Sequence, residues 1–182
     1  MMYFKVLDIE GYEEITKRLR KYVAIPTSYD LTHIARRFSR DEFLKTCPDL
    51  VRQVDDMMQD ELDFARTFIT RPQDSQPIHV DGHPDENHLR YLGLNWPLYY
   101  CEGSYMHWYD AVSDAKRDDG SRDDYGDYQM YYPEDCTLVS SLELVKPTLV
   151  RINVPHNVEN LKPTPRVVIS LRFKNDLRHI KF

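Results

Sequence analysis

His79 and Asp81, in the stretch Gln76-Pro77-Ile78-His79-Val80-Asp81-Gly82, have the types and spacing to do chemistry. On a strand, side chains two residues apart share a face, so imidazole and carboxylate stand side by side while Ile78 and Val80 point the other way. That is half of a metal site held on a rigid element. His156 is the candidate third ligand. It follows the β-rich run Leu149 to Pro155, and ten residues later Arg166 opens a second such run, Val167 to Phe173. Asn160, Pro163 and Pro165 between them are loop residues, so the spacing predicts two strands joined by a turn, with His156 and Arg166 near each other across adjacent strands.

The ordered set His79-x-Asp81, His156, Arg166 resembles the iron(II)- and 2-oxoglutarate-dependent oxygenases over residues 60–175. The segment Pro155-His156-Asn157-Val158-Glu159-Asn160, leading to Pro165-Arg166-Val167-Val168, is similar to the stretch that carries that superfamily's last iron ligand and its oxoacid-binding arginine. There is likeness too to the aspartyl/asparaginyl β-hydroxylase branch, which usually lacks an acid where Asp81 stands. The resemblance implies a mainly β fold with N-terminal helices, a double-stranded β-helix of the cupin-like jelly-roll kind. It implies His79, Asp81 and His156 as ligands of Fe(II), with 2-oxoglutarate chelating two open positions and O2 taking the third. Arg166 would hold the distal carboxylate of 2-oxoglutarate through a donor fork that Lys cannot reproduce. Many members place Ser or Thr two residues after that arginine; here Val168 stands there, and Ser170, on the same strand face, is the substitute. Asn95 and Tyr99 are further candidate donors to the oxoacid. The implied reaction is hydroxylation of an unactivated C–H bond in a small molecule or an amino-acid side chain, free or within a peptide.

Other readings of these residues stay open. His83 and His88 lie near the His-x-Asp pair and would serve a three-histidine cupin site or a zinc hydrolase site. Arg90, Arg151 and Arg172 are rival oxoacid partners, and Arg172 shares a face with Arg166 on a regular strand. His33, His107 and His179 read as surface or satisfied core histidines. A non-catalytic cupin-like binding module, with the same residues making hydrogen bonds, is the alternative from another class.

The remaining chain supplies the elements that must position this set. With 182 residues it is one domain's worth, a mixed helical preface over 1–60 and a β-helix core over 61–175. Ile15, Leu19 and Val23 recur at four-residue intervals and predict a helix from Gly11 to Tyr22. Ser39 with Glu42 three residues on is a capping box, and Pro48 suits the first turn of another helix running to Met58. From Glu61 the period becomes two, and strands are predicted over Arg90 to Cys101, Thr137 to Val145 and Thr148 to Val154. On regular alternation Asn95, Pro97 and Tyr99 share one face, with Leu94, Trp96 and Leu98 on the other. Ser113 to Asp127 is Asp-rich and reads as a solvated loop, and Asn175 to Phe182 as a terminal tail.

Charge and composition exclude several classes. A net charge of −6 argues against sequence-independent nucleic-acid binding, which needs a basic face. No apolar run approaches the ~20 residues of a membrane span. The start Met1-Met2-Tyr3-Phe4-Lys5 does not read as a secretory signal, so a cytoplasmic setting is expected. Cys47, Cys101 and Cys136 lack Cys-x-x-Cys spacing and read as free thiols.

Overall fold

The structure is a computed structural model that describes residues 2–23, 37–81, 91–112, 122–123 and 126–181. His33, His83, His88, Arg90 and nearly all of the Asp-rich stretch 113–121 with 124–125 lie outside the described residues. In chain order the elements are β1 (Phe4–Val6), α1 (Tyr12–Tyr22), β2 (Arg37–Ser39), α2 (Arg40–Thr46) and α3 (Pro48–Met58). Then come β3 (Leu62–Thr70), β4 (Asp74–Ser75), β5 (His79–Asp81), β6 (Leu92–Tyr99), β7 (Ser104–Ala111), β8 (Arg122–Asp123) and β9 (Gly126–Met130). The last four are β10 (Cys136–Glu143), β11 (Thr148–Arg151), β12 (His156–Asn160) and β13 (Arg166–Phe173).

These strands form two antiparallel sheets. One has the order β1-β11-β6-β13-β3-β2, and the other β10-β7-β12-β5-β9-β8, with β4 also on β12. The chain passes repeatedly from one sheet to the other, as in the double-stranded β-helix expected from the sequence. Both N-terminal strands, β1 and β2, edge the six-stranded sheet, so the first 60 residues build part of the sandwich as well as its helices.

Period-two sequence with both faces buried explains the central strands. All eight residues of β13 are buried because its two faces meet different cores. Val167, Ile169, Leu171 and Phe173 face outward into a cluster with Leu19 of α1, Phe43 of α2 and Leu50, Val54 and Met58 of α3. Val168 faces inward, packed with Met106, Trp108, Val150, Ile152 and Val158 between the sheets. The helices therefore lid one sheet, and the interior is left for chemistry.

Local signals place those helices. The Ser39 hydroxyl accepts the Glu42 N–H at 3.3 Å while the Glu42 carboxylate accepts the Ser39 N–H at 2.7 Å, the reciprocal box that starts α2. Pro48 opens α3 without wasting a donor. Arg40 reaches across to Asp55 and to the Leu62 carbonyl, tying α2 to α3 and to the start of β3.

The C-terminal segment departs from the expected loose tail. Asp60, 7% exposed, accepts the backbone N–H of Asn175 at 3.2 Å and of Leu177 at 3.3 Å, and Leu177 is fully buried. A buried carboxylate that needs donors, together with one well-placed leucine, orders a segment whose composition looks like a tail. The three cysteines are free thiols, two of them buried. Among the described residues no helix is long and apolar enough to cross a membrane.

Candidate metal centre

β5 is three residues long, and its neighbours on both sides hold it. His156 of β12 lies directly opposite His79, and β9 pairs along the other edge. Ile78 and Val80 are buried with Tyr131 on the far face, which turns His79 and Asp81 inward. Cross-strand pairing brings the two imidazole centroids to 4.5 Å. His79 Nε2 lies 3.5 Å and His156 Nε2 3.9 Å from Asp81 Oδ1.

The ligating atoms all fall within 4.8 Å of one another. Octahedral bonds of ~2.1 Å set such atoms about 3 Å apart, so a small inward movement closes the set on a divalent ion. The second nitrogens point the same way. His79 Nδ1 bonds the Pro77 carbonyl at 2.8 Å and His156 Nδ1 the Val154 carbonyl at 2.9 Å. A carbonyl can only accept, so each Nδ1 carries a proton and the nitrogen that faces Asp81 is Nε2 in both rings. The donor set fits a metal such as Fe(II).

Electrostatics prepares the same set. Burial raises the cost of charge on Asp81, but the Arg172 guanidinium and the hydrogen bond from His79 outweigh it and hold the carboxyl well below the usual carboxylate range. Burial, with His79 nearby, pushes His156 down to about 4, so it is neutral at pH 7. For His79 burial also works against the charge, yet the hydrogen bond and charge of Asp81 prevail and its pKa is raised. Asp81 is thus ionised and His156 neutral at pH 7.

β13 supplies two arginines, at positions that differ from the expectation. His156 and Arg166 are not on adjacent strands: β12 and β13 belong to different sheets, and residues 161–165 carry the chain across. Arg172, six residues beyond Arg166 and so ~20 Å along the strand, is the one that reaches the metal centre, its Nη2 donating to Asp81 Oδ2 at 2.8 Å. Gly93 on the neighbouring strand makes room for it, since a Cβ there would overlap Arg172 Nη1. Arg166 lies at the other end, 2% exposed, with Nη1 3.5 Å from Thr70 Oγ1 and Cys101 close by. Its Nε and Nη2 meet no hydrogen-bond partner among the described residues, and burial pushes its pKa down.

Between those ends Ser170 Oγ donates to Asn95 Oδ1 at 2.5 Å, and Asn95 Nδ2 lies 3.9 Å from Met106 Sδ. Asn95 and Ser170 therefore share the inner face, as expected. Tyr99 does not. The pairing of β13 with β6 slips between Val167 and Val168, which oppose Tyr99 and Pro97. This bulge turns Tyr99 to the helix side, where its hydroxyl donates to the Arg20 carbonyl at 2.6 Å. The expectation that Tyr99 donates to an oxoacid is corrected accordingly. Arg151 is also elsewhere, bonded to the Met2 carbonyl and Tyr91 hydroxyl. His107, bonded to Ser141 and Glu159, and His179, bonded to the Met58 carbonyl, are satisfied structural histidines.

Sequence reasoning missed two partners. Thr70 and Cys101 flank Arg166, and nothing in their spacing marks them. Arg172 was visible as a same-face neighbour of Arg166, but its contact with Asp81 depends on how one sheet packs over the other.

No family model and no curated protein matches the chain. Among solved structures, EvdO2 from Micromonospora carbonacea var. aurantiaca superposes with a TM-score of 0.51 at 16% identity, over 92% of this chain and 84% of that one. Two others are more distant. Peruvianin-I, a cysteine peptidase from Thevetia peruviana latex, gives 0.39 at 8% identity over 81% of this chain and 66% of that one. Oxalate decarboxylase from Bacillus subtilis gives 0.35 at 12% identity over 78% of this chain and only 25% of that one. At these identities the likeness is one of fold: the chain is a cupin-like jelly roll, with a candidate His-Asp-His metal centre inside it.

Proposed function

We propose that the protein is an iron(II)- and 2-oxoglutarate-dependent dioxygenase that hydroxylates an unactivated C–H bond of a small molecule or an amino-acid side chain. The observation that carries this reading is Arg166. A buried guanidinium with two nitrogens lacking partners among the described residues is costly by several kcal/mol until an anion meets it. It stands on the same inner strand face as Arg172, which reaches the metal centre. One carboxylate of a dicarboxylate would answer the donor fork.

Iron with 2-oxoglutarate and O2 supplies the oxidation of the C–H bond, the oxoacid being cleaved to succinate and CO2. The chain's residues hold and orient. His79, Asp81 and His156 would hold the metal, and three ligands rather than four would leave it room for the co-substrates. Arg172 keeps Asp81 ionised and fixes which oxygen it presents. Arg166 receives the distal carboxylate, and the apolar lining of Val168, Met106, Trp108 and Val158 keeps water from competing.

Anaerobic titration with Fe(II) and then 2-oxoglutarate tests the reading. The expected result is a weak visible charge-transfer band, absent in His156→Ala because iron is lost, and absent in Arg166→Met although iron still binds. Failure to bind iron would favour a non-catalytic jelly-roll module, and iron without the band would mean a different cupin metal chemistry.

A further inference from the structure

We propose that β10 is the docking edge for a second copy of this chain, the two β10 strands pairing antiparallel about a two-fold axis so that a sheet of one copy runs on into that of the other. The four sheet edges are unequal. β1, β2 and β8 are three, three and two residues long, and each carries charge: Lys5, Arg37, and Arg122 with Asp123. Short, charged strands are how sheets keep their edges from pairing. β10 runs eight residues, Cys136-Thr137-Leu138-Val139-Ser140-Ser141-Leu142-Glu143, with no proline and no charge before its last position. Among the described residues no strand lies on its far side.

The side chains along this edge are apolar and open. Leu138 and Val139 are 53% and 40% exposed. Consecutive residues both reach solvent because the ladder with β7 slips between Leu138 and Ser140 and leaves Val139 without a register partner. Such a bulge ordinarily blunts an edge, but this one brings out a valine where a charge would protect. Exposed Val112 and Val145 extend the strip. Val112 donates its N–H to the Asp135 carbonyl at 3.1 Å, beside the first residue of β10, and Val145 lies two residues beyond the last. Apolar side chains scattered singly over a surface mean little, whereas four along one strand mark a contact. The strand also suits its own copy. With the axis between Val139 and Ser140, Leu138 faces Ser141 and Cys136 faces Glu143 of the second copy, the two Val139 side chains meet at the axis, and no like charges are opposed. Glu143, the one charge, already accepts the Gly103 N–H at 2.5 Å. In the same register the acidic residues just before β10, Glu134 and Asp135, are carried toward Lys146 of the second copy, just after its β10.

Sedimentation velocity of the wild-type chain from about 1 to about 100 μM tests this with neither metal nor co-substrate present. The expected result is a monomer–dimer equilibrium in which Leu138→Lys and Val139→Lys each weaken association by about tenfold or more, since an edge lysine is the charge that β10 lacks. Leu44→Lys, at an exposed position of α2 over the other sheet, should leave association unchanged. Amide hydrogen exchange on the wild-type chain reads the same contact without any substitution. Residues 137–142 should exchange more slowly at the high concentration than at the low one, with no comparable change elsewhere. A wild-type chain that stays monomeric at the highest concentration overturns the proposal and leaves the edge to a strand of a different protein. So does association unchanged in both β10 variants, association weakened equally by Leu44→Lys, or exchange across β10 that does not depend on concentration.

Discussion

The two ends of β13 carry the same residue in opposite circumstances. Arg172 is buried against Asp81, its charge answered within the protein and its guanidinium seated over Gly93. Arg166 is buried with part of its fork unanswered among the described residues. One strand face and two arginines in different surroundings fit two jobs in the proposed reading, Arg172 orienting the candidate ligand Asp81 and Arg166 receiving the co-substrate.

The largest effect expected from breaking this asymmetry comes at Asp81. Asp81→Asn removes the charge of a candidate metal ligand and weakens its pair with Arg172. Iron affinity should fall by at least about a hundredfold, since the charge of the ligand is lost and its outer pair is weakened. Equilibrium dialysis against Fe(II) under anaerobic conditions reads it, and near-wild-type affinity would mean that Asp81 is not a ligand.

Substituting each arginine in turn sharpens the comparison. Arg172→Met strands the Asp81 carboxylate and should cost about 1–3 kcal/mol in urea unfolding, less than for a fully buried pair because Asp81 is partly exposed. Arg166→Met removes a buried cation that no carboxylate among the described residues meets, so its stability should be unchanged or higher. Its defect should appear in 2-oxoglutarate affinity, weaker by about tenfold or more. Equal destabilisation by the two substitutions would erase the distinction between them.

Much of this was legible in the chain itself, and the limits of that legibility are physical. The His-x-Asp pair, His156 and the inner face of β13 follow from a side-chain period of two, which any strand obeys. The capping box at Ser39 and the proline start at Pro48 are local and were readable for the same reason. Tyr99 was misassigned because one bulge reverses the alternation, and a bulge depends on the partner strand rather than on the residues beside it. Arg166 was placed beside His156 because nearness in sequence across a turn usually means adjacent strands, but in a two-sheet sandwich the short connection crosses between sheets. Leu177 and Asp60 show the same limit, as a contact between distant segments orders what looks like a tail.

Gly93 offers a subtler break. Gly93→Ala would push the Arg172 guanidinium from its seat without altering either charged partner. The cost should be about 1 kcal/mol, as for modest overpacking. Iron affinity should fall by less than in Asp81→Asn, because the ligand survives and only its orientation suffers. Wild-type iron affinity in this variant would mean that Arg172 does not position Asp81.

The smallest effect concerns protons at the metal centre of the metal-free protein. His156 is pushed down from 6.5 to about 4 on folding, so between those values the unfolded chain binds more protons than the native one. Stability therefore rises with pH across that window and is lost as pH falls through it. Asp81 adds to the loss below its ordinary value of 3.8, because its folded pKa is lowered. His79 has the opposite sign: its raised pKa contributes stability that is complete below 6.5 and fades as pH rises through the folded value. Comparing about pH 6 with about pH 4.5 separates them, since the His79 contribution is already constant there while that of His156 is not. The urea midpoint should drop over that interval in the wild type and drop less in His156→Gln. An equal drop in both would mean that the neutral state of His156 is not what its buried position beside His79 enforces, and the picture of a ready ligand at that end of the interior would have to be given up.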